Sequence, residues 1–156
     1  KNKKVRVMTS EFDELQQLIA ADIRKTYTTT TIDHAMNPRN LNDMDDPDGF
    51  SQATSSCGDA MKIWLKTKNG IIAEATFWAD GCGSSVAAGS MITELAKGKT
   101  ISEALKITQQ DVLDSLGGLP EESTHCALLA ATTLQKAIKD YLALKEEPGK
   151  KAYRQH

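Results

Sequence analysis

The chain of 156 residues carries three cysteines, each in a chemically marked setting: Cys57-Gly58-Asp59, Gly81-Cys82-Gly83 and His125-Cys126. Thiolates, a carboxylate and an imidazole are donor types that take transition metals. Glycines beside Cys57 and Cys82 let the backbone approach a bulky ligand and offer N–H groups to bridging sulfides. An odd count of cysteines rules out a complete internal disulfide framework. Free thiols in a reducing compartment are therefore expected, which makes the location cytoplasmic.

Composition narrows the classes further. With a net charge of -2, a pI of about 5.9 and 5% aromatic residues, the chain lacks the basic field and stacking surface of a nucleic-acid binder. No long apolar run marks a membrane span, and nothing resembling a signal peptide precedes the first acidic segment. A chain of this length suits one domain that buries roughly 70% of its unfolded surface, enough to fold without metal or disulfide staples. Residues 1–9 read as a flexible leader, basic from Lys1 to Val7, with Met8 a candidate natural start. Residues 10–144 read as the single domain. Residues 145–156 read as a flexible tail, where Pro148-Gly149 breaks any helix.

The elements that must position the thiols follow from periodicity. Ser10 is a candidate N-cap with Asp13 at the capping-box position, and Phe12, Leu15, Leu18, Ile19 and Ile23 form a helical apolar stripe. Asn37-Pro38-Arg39-Asn40 stops helical reading, and the Asp-rich run from Asn42 to Gly49 is a polar loop. From Phe50 to Ala79 the pattern is β: Met61, Ile63 and Leu65 alternate with Lys62, Trp64 and Lys66, and Ala73, Ala75 and Phe77 with Glu74, Thr76 and Trp78.

A two-residue turn at Asn69-Gly70 would set Ile63 opposite Thr76 and Leu65 opposite Glu74, splitting the apolar sets between faces. A three-residue loop, Lys68-Asn69-Gly70 with a G1 bulge at Gly70, is expected instead. It pairs Met61 with Phe77, Ile63 with Ala75 and Leu65 with Ala73. Trp64 and Trp78 would then cover the polar sheet face.

After Ser84 the chain turns helical. Small residues fill Ser84 to Lys97 and permit close packing on a sheet, with Gly98 as the stop. Thr100 and Glu103 form a capping box, Thr108 caps a further helix, and Gly117-Gly118 ends it. The longest helix runs from about Thr124 to Leu144, with Ala127, Ala131, Leu134, Ile138 and Tyr141 inward. The class is α+β: a small antiparallel sheet with helices on one face and a long C-terminal helix.

On this map Cys57 and Asp59 precede a strand, Cys82 lies between a strand end and a helix start, and Cys126 sits in the first turn of the last helix. Two thiols at helix N-termini are expected to favour thiolate. His125 could reinforce that when protonated or ligate when neutral.

Asn37-Pro38-Arg39-Asn40, Cys57-Gly58-Asp59, Gly81-Cys82-Gly83-Ser84, Gly98-Lys99-Thr100 and His125-Cys126 stand in an order and at spacings that resemble the NifU/IscU-type iron-sulfur cluster assembly scaffolds. The resemblance spans roughly His34 to Tyr141. It implies a three-stranded antiparallel sheet with packed helices, and a [2Fe-2S] cluster built on Cys57, Cys82 and Cys126 from iron and from sulfur supplied by a cysteine desulfurase. It further implies transfer of that cluster to recipient apo-proteins, so that the chain is an assembly scaffold and not an enzyme turning over a small substrate. Asp59 matches the acidic residue beside the cluster and His125 the imidazole beside the third cysteine. Asp59 is favoured as fourth ligand, with His125 a close competitor, because a hard oxygen makes a more exchangeable corner than a fourth thiolate.

The chain departs from the pattern in places. Leu119-Pro120-Glu121-Glu122-Ser123 replaces the Leu-Pro-Pro-Val-Lys segment of many IscU-type members, which puts the Hsp70-type chaperone partner in doubt. Ser123 removes a lysine before the histidine, and Leu41 and Asn42 stand where a glycine commonly follows the Asn-Pro-Arg-Asn stretch. Arg39 reads as a structural tether of that loop. A homo-oligomer is a further candidate partner arrangement.

Two other readings use the same residues. A zinc-dependent sulfur-transfer protein would hold tetrahedral Zn²⁺ on Cys57, Asp59, Cys82 and Cys126 and accept persulfide sulfur on one thiolate. The resemblance disfavours it, since such relatives typically carry an insertion between the second and third cysteines and lack the histidine. A thiol hydrolase would need Cys126 as nucleophile and His125 as base, but helix neighbours diverge by about 100° and no oxyanion motif accompanies them.

Overall fold

The computed structural model describes residues 2–146, with side chains from Glu11 onward. Three strands, β1 (Gly49–Thr54), β2 (Ala60–Lys68) and β3 (Ile71–Asp80), form an antiparallel sheet in chain order. Six helices accompany it among the described residues: α1 (Asn2–Thr26), α2 (Thr29–Met36), α3 (Gly83–Ala96), α4 (Ile101–Leu105), α5 (Gln109–Leu116) and α6 (Thr124–Glu146). The expected α+β class is what the fold shows. The tail reading beyond Glu146 lies outside the described residues.

One sheet face is apolar, and the reason is a bulge that sits at Ala73 and not at Gly70, where it is expected. Asn69 and Gly70, at φ 55° and 76°, make a two-residue hairpin turn in place of the expected Lys68-Asn69-Gly70 loop, so the pairs Met61–Phe77, Ile63–Ala75 and Leu65–Ala73 do not form. Lys68 then pairs with Ile71 and Thr67 with Ile72, but the register slips between Thr67 and Lys66, so that Lys66 pairs with Glu74 and Ala73 is the extra residue. Beyond this bulge Leu65 faces Ala75, Ile63 faces Phe77 and Met61 faces Ala79. The slip restores the alternation that the turn alone would invert. Expelling a small alanine is what lets both Ile72 and Phe77 be fully buried.

Helices α3 and α6 cover that face. Met61, Ile63, Leu65 and Phe77 pack into one core with Ala88 and Ile92 of α3 and Leu134 and Ile138 of α6. Each such large side chain contributes roughly 2 kcal/mol when removed from water. Small residues let α3 lie close on β3, most tightly at Gly89, where an added Cβ would stand 2.3 Å from the Phe77 ring. Of the inward stripe expected on α6, Ala127, Ala131, Leu134 and Ile138 are buried and Tyr141 is half-buried. On the opposite sheet face Trp64 packs on Phe50 at 5.4 Å between ring centroids, and the Lys62 ammonium lies 5.0 Å from the Trp78 ring.

The edge of β3 is covered by loops. The Phe77 N–H donates to the Asn40 carbonyl, the Ile72 N–H to the Lys99 carbonyl, and the Ile101 N–H to the Gly70 carbonyl. This blunts an edge that could otherwise pair with another chain. Arg39 tethers the Asn-Pro-Arg-Asn turn as expected, donating to Asp33 at 2.6 Å and to the Asn37 carbonyl at 3.1 Å.

Capping places the remaining ends. Thr100 with Glu103, and Thr108 with Asp111, form complete capping boxes, and Gly117 ends α5 in the left-handed conformation. Helix α1 is different from expectation. It runs from Asn2, so Ser10 lies inside the helix rather than at its start, and Phe12, Leu15, Leu18, Ile19 and Ile23 are exposed. Its stripe has the helical period but is left uncovered. No helix among the described residues is long and apolar enough to cross a membrane.

Candidate metal centre

Three segments meet at the end of the sheet where β2 begins and β3 ends. The first is the β1–β2 turn. The Ser55 N–H donates to the Asp59 carbonyl, the Gly58 N–H to the Ser55 carbonyl, and the Cys57 N–H to Ser55 Oγ, with Gly58 at φ 90°. This tight turn leaves Cys57 exposed at its tip and delivers Asp59 to the base of β2. The second segment is the β3–α3 junction, where Cys82 is the N-cap residue of α3. The third is the first turn of α6, carrying His125 and Cys126.

Side chains from all three segments touch. Asp59 Oδ2 lies 3.3 Å from His125 Nε2 and 3.8 Å from Cys126 Sγ. The sulfurs of Cys82 and Cys126 are 3.9 Å apart. Ligand atoms of Asp59, His125 and Cys126 all lie within 4.8 Å of one another, a spacing that suits one metal ion. Two thiolates sharing a tetrahedral metal through bonds of about 2.3 Å stand about 3.8 Å apart, close to what Cys82 and Cys126 show. Of the five sequence-derived candidates, Asp59, Cys82, His125 and Cys126 form one hydrogen-bonded cluster. Cys57 lies outside it, two residues from Asp59 on the same turn.

The thiols differ in kind. At Cys82, burial opposes the thiolate, but the N–H groups of Ser85 and Ser84 outweigh it and hold the thiol below its ordinary range. That agrees with the helix N-terminus expectation. Cys126 reverses it. Burial pushes its thiol up to about 12, and the neighbouring Cys82 and Asp59 charges push the same way. A first-turn position therefore does not decide protonation when the side chain is fully buried beside an acid.

His125 and Cys126 also correct an expectation. Although adjacent on α6, their side chains converge, with Nε2 3.6 Å from Sγ, because both turn toward Asp59. Contact alone does not make a hydrolase, since a buried thiol held at about 12 is a poor nucleophile near neutral pH.

The sequence reading missed Ser85. This fully buried residue places its hydroxyl 3.0 Å from Asp59 Oδ2, 3.3 Å from Cys126 Sγ and 3.9 Å from Cys82 Sγ. The available signal was its position three residues after an N-cap, from which a side chain reaches back toward the cap.

Fold and site together define a small α+β domain with a transition-metal donor cluster at one end of its sheet. Residues 26–148 match the NifU-like N terminal domain family, and the chain belongs to that family. It is 47% identical over 116 residues to the iron-sulfur cluster assembly scaffold protein IscU 1 of Archaeoglobus fulgidus, covering 74% of this chain and 76% of the relative. It is 44% identical over 119 residues to the iron-sulfur cluster assembly scaffold protein IscU of Aquifex aeolicus, again covering 74% and 76%. The crystal structure of a nitrogen-fixing NifU-like protein (N-terminal) from Brucella abortus superposes with a TM-score of 0.62 at 18% identity, covering 78% of this chain and 97% of that one. That last likeness concerns the fold.

Proposed function

We propose that this protein is a scaffold on which a [2Fe-2S] cluster is assembled from iron and desulfurase-derived sulfur and then passed to apo-proteins. The observation that carries the proposal is the convergence of Asp59, His125 and the Cys82–Cys126 sulfur pair, in a chain whose relatives are named as iron-sulfur cluster assembly scaffolds. The cluster is cargo, so the site must both hold it and let it go.

The residues divide the work. Cys82, with its thiol held low at the head of α3, is the readily available soft donor. Cys126 gives up its proton on coordination, so loading is favoured as pH rises. Cys57, exposed on its turn, is the thiol accessible to a partner's sulfur and becomes the third ligand when the turn closes on the cargo. Asp59 supplies a hard carboxylate oxygen, the weak corner that incoming ligands displace, and His125 is the competing occupant of that corner. The implied partners are a cysteine desulfurase and recipient apo-iron-sulfur proteins. Zinc fits the same donors, but the relatives' names support iron-sulfur assembly.

Anaerobic reconstitution with ferrous iron, cysteine and a desulfurase tests the reading. About one [2Fe-2S] chromophore per one or two chains is expected, and Cys57→Ser, Cys82→Ser and Cys126→Ser should each abolish it. A colourless product holding tight zinc would overturn cluster assembly. Asp59→Ala should slow transfer to an apo-ferredoxin; an unchanged rate would remove Asp59 from the exchangeable corner.

A further inference from the structure

Ser85 touches donors from all three segments of the site while being no metal ligand by type. Its hydroxyl reaches Asp59 Oδ2 at 3.0 Å, Cys126 Sγ at 3.3 Å and Cys82 Sγ at 3.9 Å, and the residue is fully buried. A hydroxyl has a single proton to donate. An ionised carboxylate and a metal-bound thiolate are both acceptors, so Ser85 can satisfy only one of them at a time. Without metal, the shorter contact and the full charge of the carboxylate direct the proton to Asp59. When Cys126 gives up its proton to a metal, its sulfur becomes a charged acceptor 3.3 Å from the same hydroxyl, and a metal that draws charge from Asp59 weakens the competing acceptor.

We infer that Ser85 is a positioning residue of the scaffold site: it holds the Asp59 carboxylate against the Cys126 sulfur before loading and donates to the coordinated Cys126 thiolate after it. This rests on the scaffold reading above and adds a residue to it. The backbone geometry supports the assignment. The Ser85 N–H donates to the Cys82 carbonyl at 3.0 Å, so the first turn of α3 fixes the hydroxyl in place. Hydrogen bonds from an outer shell orient metal ligands, and a donor to a coordinated sulfur lowers the energy of its lone pairs.

Anaerobic titration of the full chain with Co²⁺ tests this, read by the sulfur-to-cobalt charge-transfer band. The wild type should bind Co²⁺ with thiolate ligation. Ser85→Ala should bind about 10-fold more weakly, and its band should move to longer wavelength because the sulfur has lost its donor. Thermal unfolding without metal should stay close to wild type. If Ser85→Ala matches the wild type in affinity and band position, the role of Ser85 is overturned while the site stands. Weaker binding with an unmoved band would mean loss of packing and would also overturn it. If the wild type gives no charge-transfer band, the site reading fails and the role of Ser85 with it.

Discussion

Gly81 and Asp59 interlock: a Cβ built on Gly81 would lie 2.7 Å from Asp59 Oδ1 and 2.8 Å from its carboxyl carbon. The carboxylate therefore occupies space that only glycine leaves vacant, and the end of β3 shapes a residue delivered by the β1–β2 turn. Gly81→Ala should push Asp59 away from His125 and Cys126 with little change in global stability. Metal affinity is expected to fall by about 10-fold or more, as for other losses of ligand placement. Anaerobic equilibrium dialysis with Co²⁺ measures it. In an Asp59→Ala background the same glycine change should add nothing, and an additive loss would show that Gly81 acts through something else.

Gly89 and Phe77 make a second contact of this kind, inside the core. A methyl group at Gly89 would overlap the Phe77 ring at 2.3 Å, and both residues are buried where neither can yield without moving α3 from β3. Gly89→Ala should destabilise the fold by about 3 kcal/mol, at the upper end of typical overpacking costs. Urea unfolding measures it. Phe77→Leu in the same chain should recover part of the loss, and a wild-type midpoint for Gly89→Ala alone would refute the close approach.

Much of this was legible because it depends on local chemistry. Strand alternation, the Thr100–Glu103 capping box, the Gly117 stop and the three cysteine settings are fixed within a few residues. The bulge at Ala73 was not legible, because the turn at Asn69-Gly70 and the apolar alternation conflict. Only three-dimensional packing decides which residue is expelled. Helix α1 misled in a simpler way: a 3.6-residue stripe signals a face able to be covered, and Phe12 and Leu18 are exposed. For Cys126, the helix position was readable, but its burial by the α6 packing, which reverses the thiol's preference, was not.

The contrast between thiols predicts an order of labelling. Cys57 and Cys82 are exposed, whereas Cys126 is buried with its thiol pushed up to about 12. Iodoacetamide at pH 8 on the metal-free protein should modify Cys57 and Cys82 at least about 10-fold faster than Cys126, since alkylation follows exposed thiolate. Peptide mass spectrometry reads the order, and denaturant should abolish it. Comparable rates in the folded protein would contradict the buried position of Cys126.

His34 carries the last expectation, on pH. Its Nδ1 lies 2.7 Å from Ser90 Oγ, which also accepts the Arg39 N–H at 2.9 Å, so the Ser90 proton points to a neutral imidazole nitrogen. Burial, then the nearby Arg39 charge, holds His34 below its ordinary 6.5, against weaker attraction from Asp33 and Glu94. A histidine depressed in the folded state binds fewer protons than in the unfolded chain. Stability from this source is therefore present above about pH 6.5 and lost as pH falls below it. The wild type should lose more of its urea midpoint between pH 7.5 and pH 5.5 than His34→Gln. Equal losses in the two proteins would show that the α2–α3 contact through Ser90 does not depend on a neutral His34.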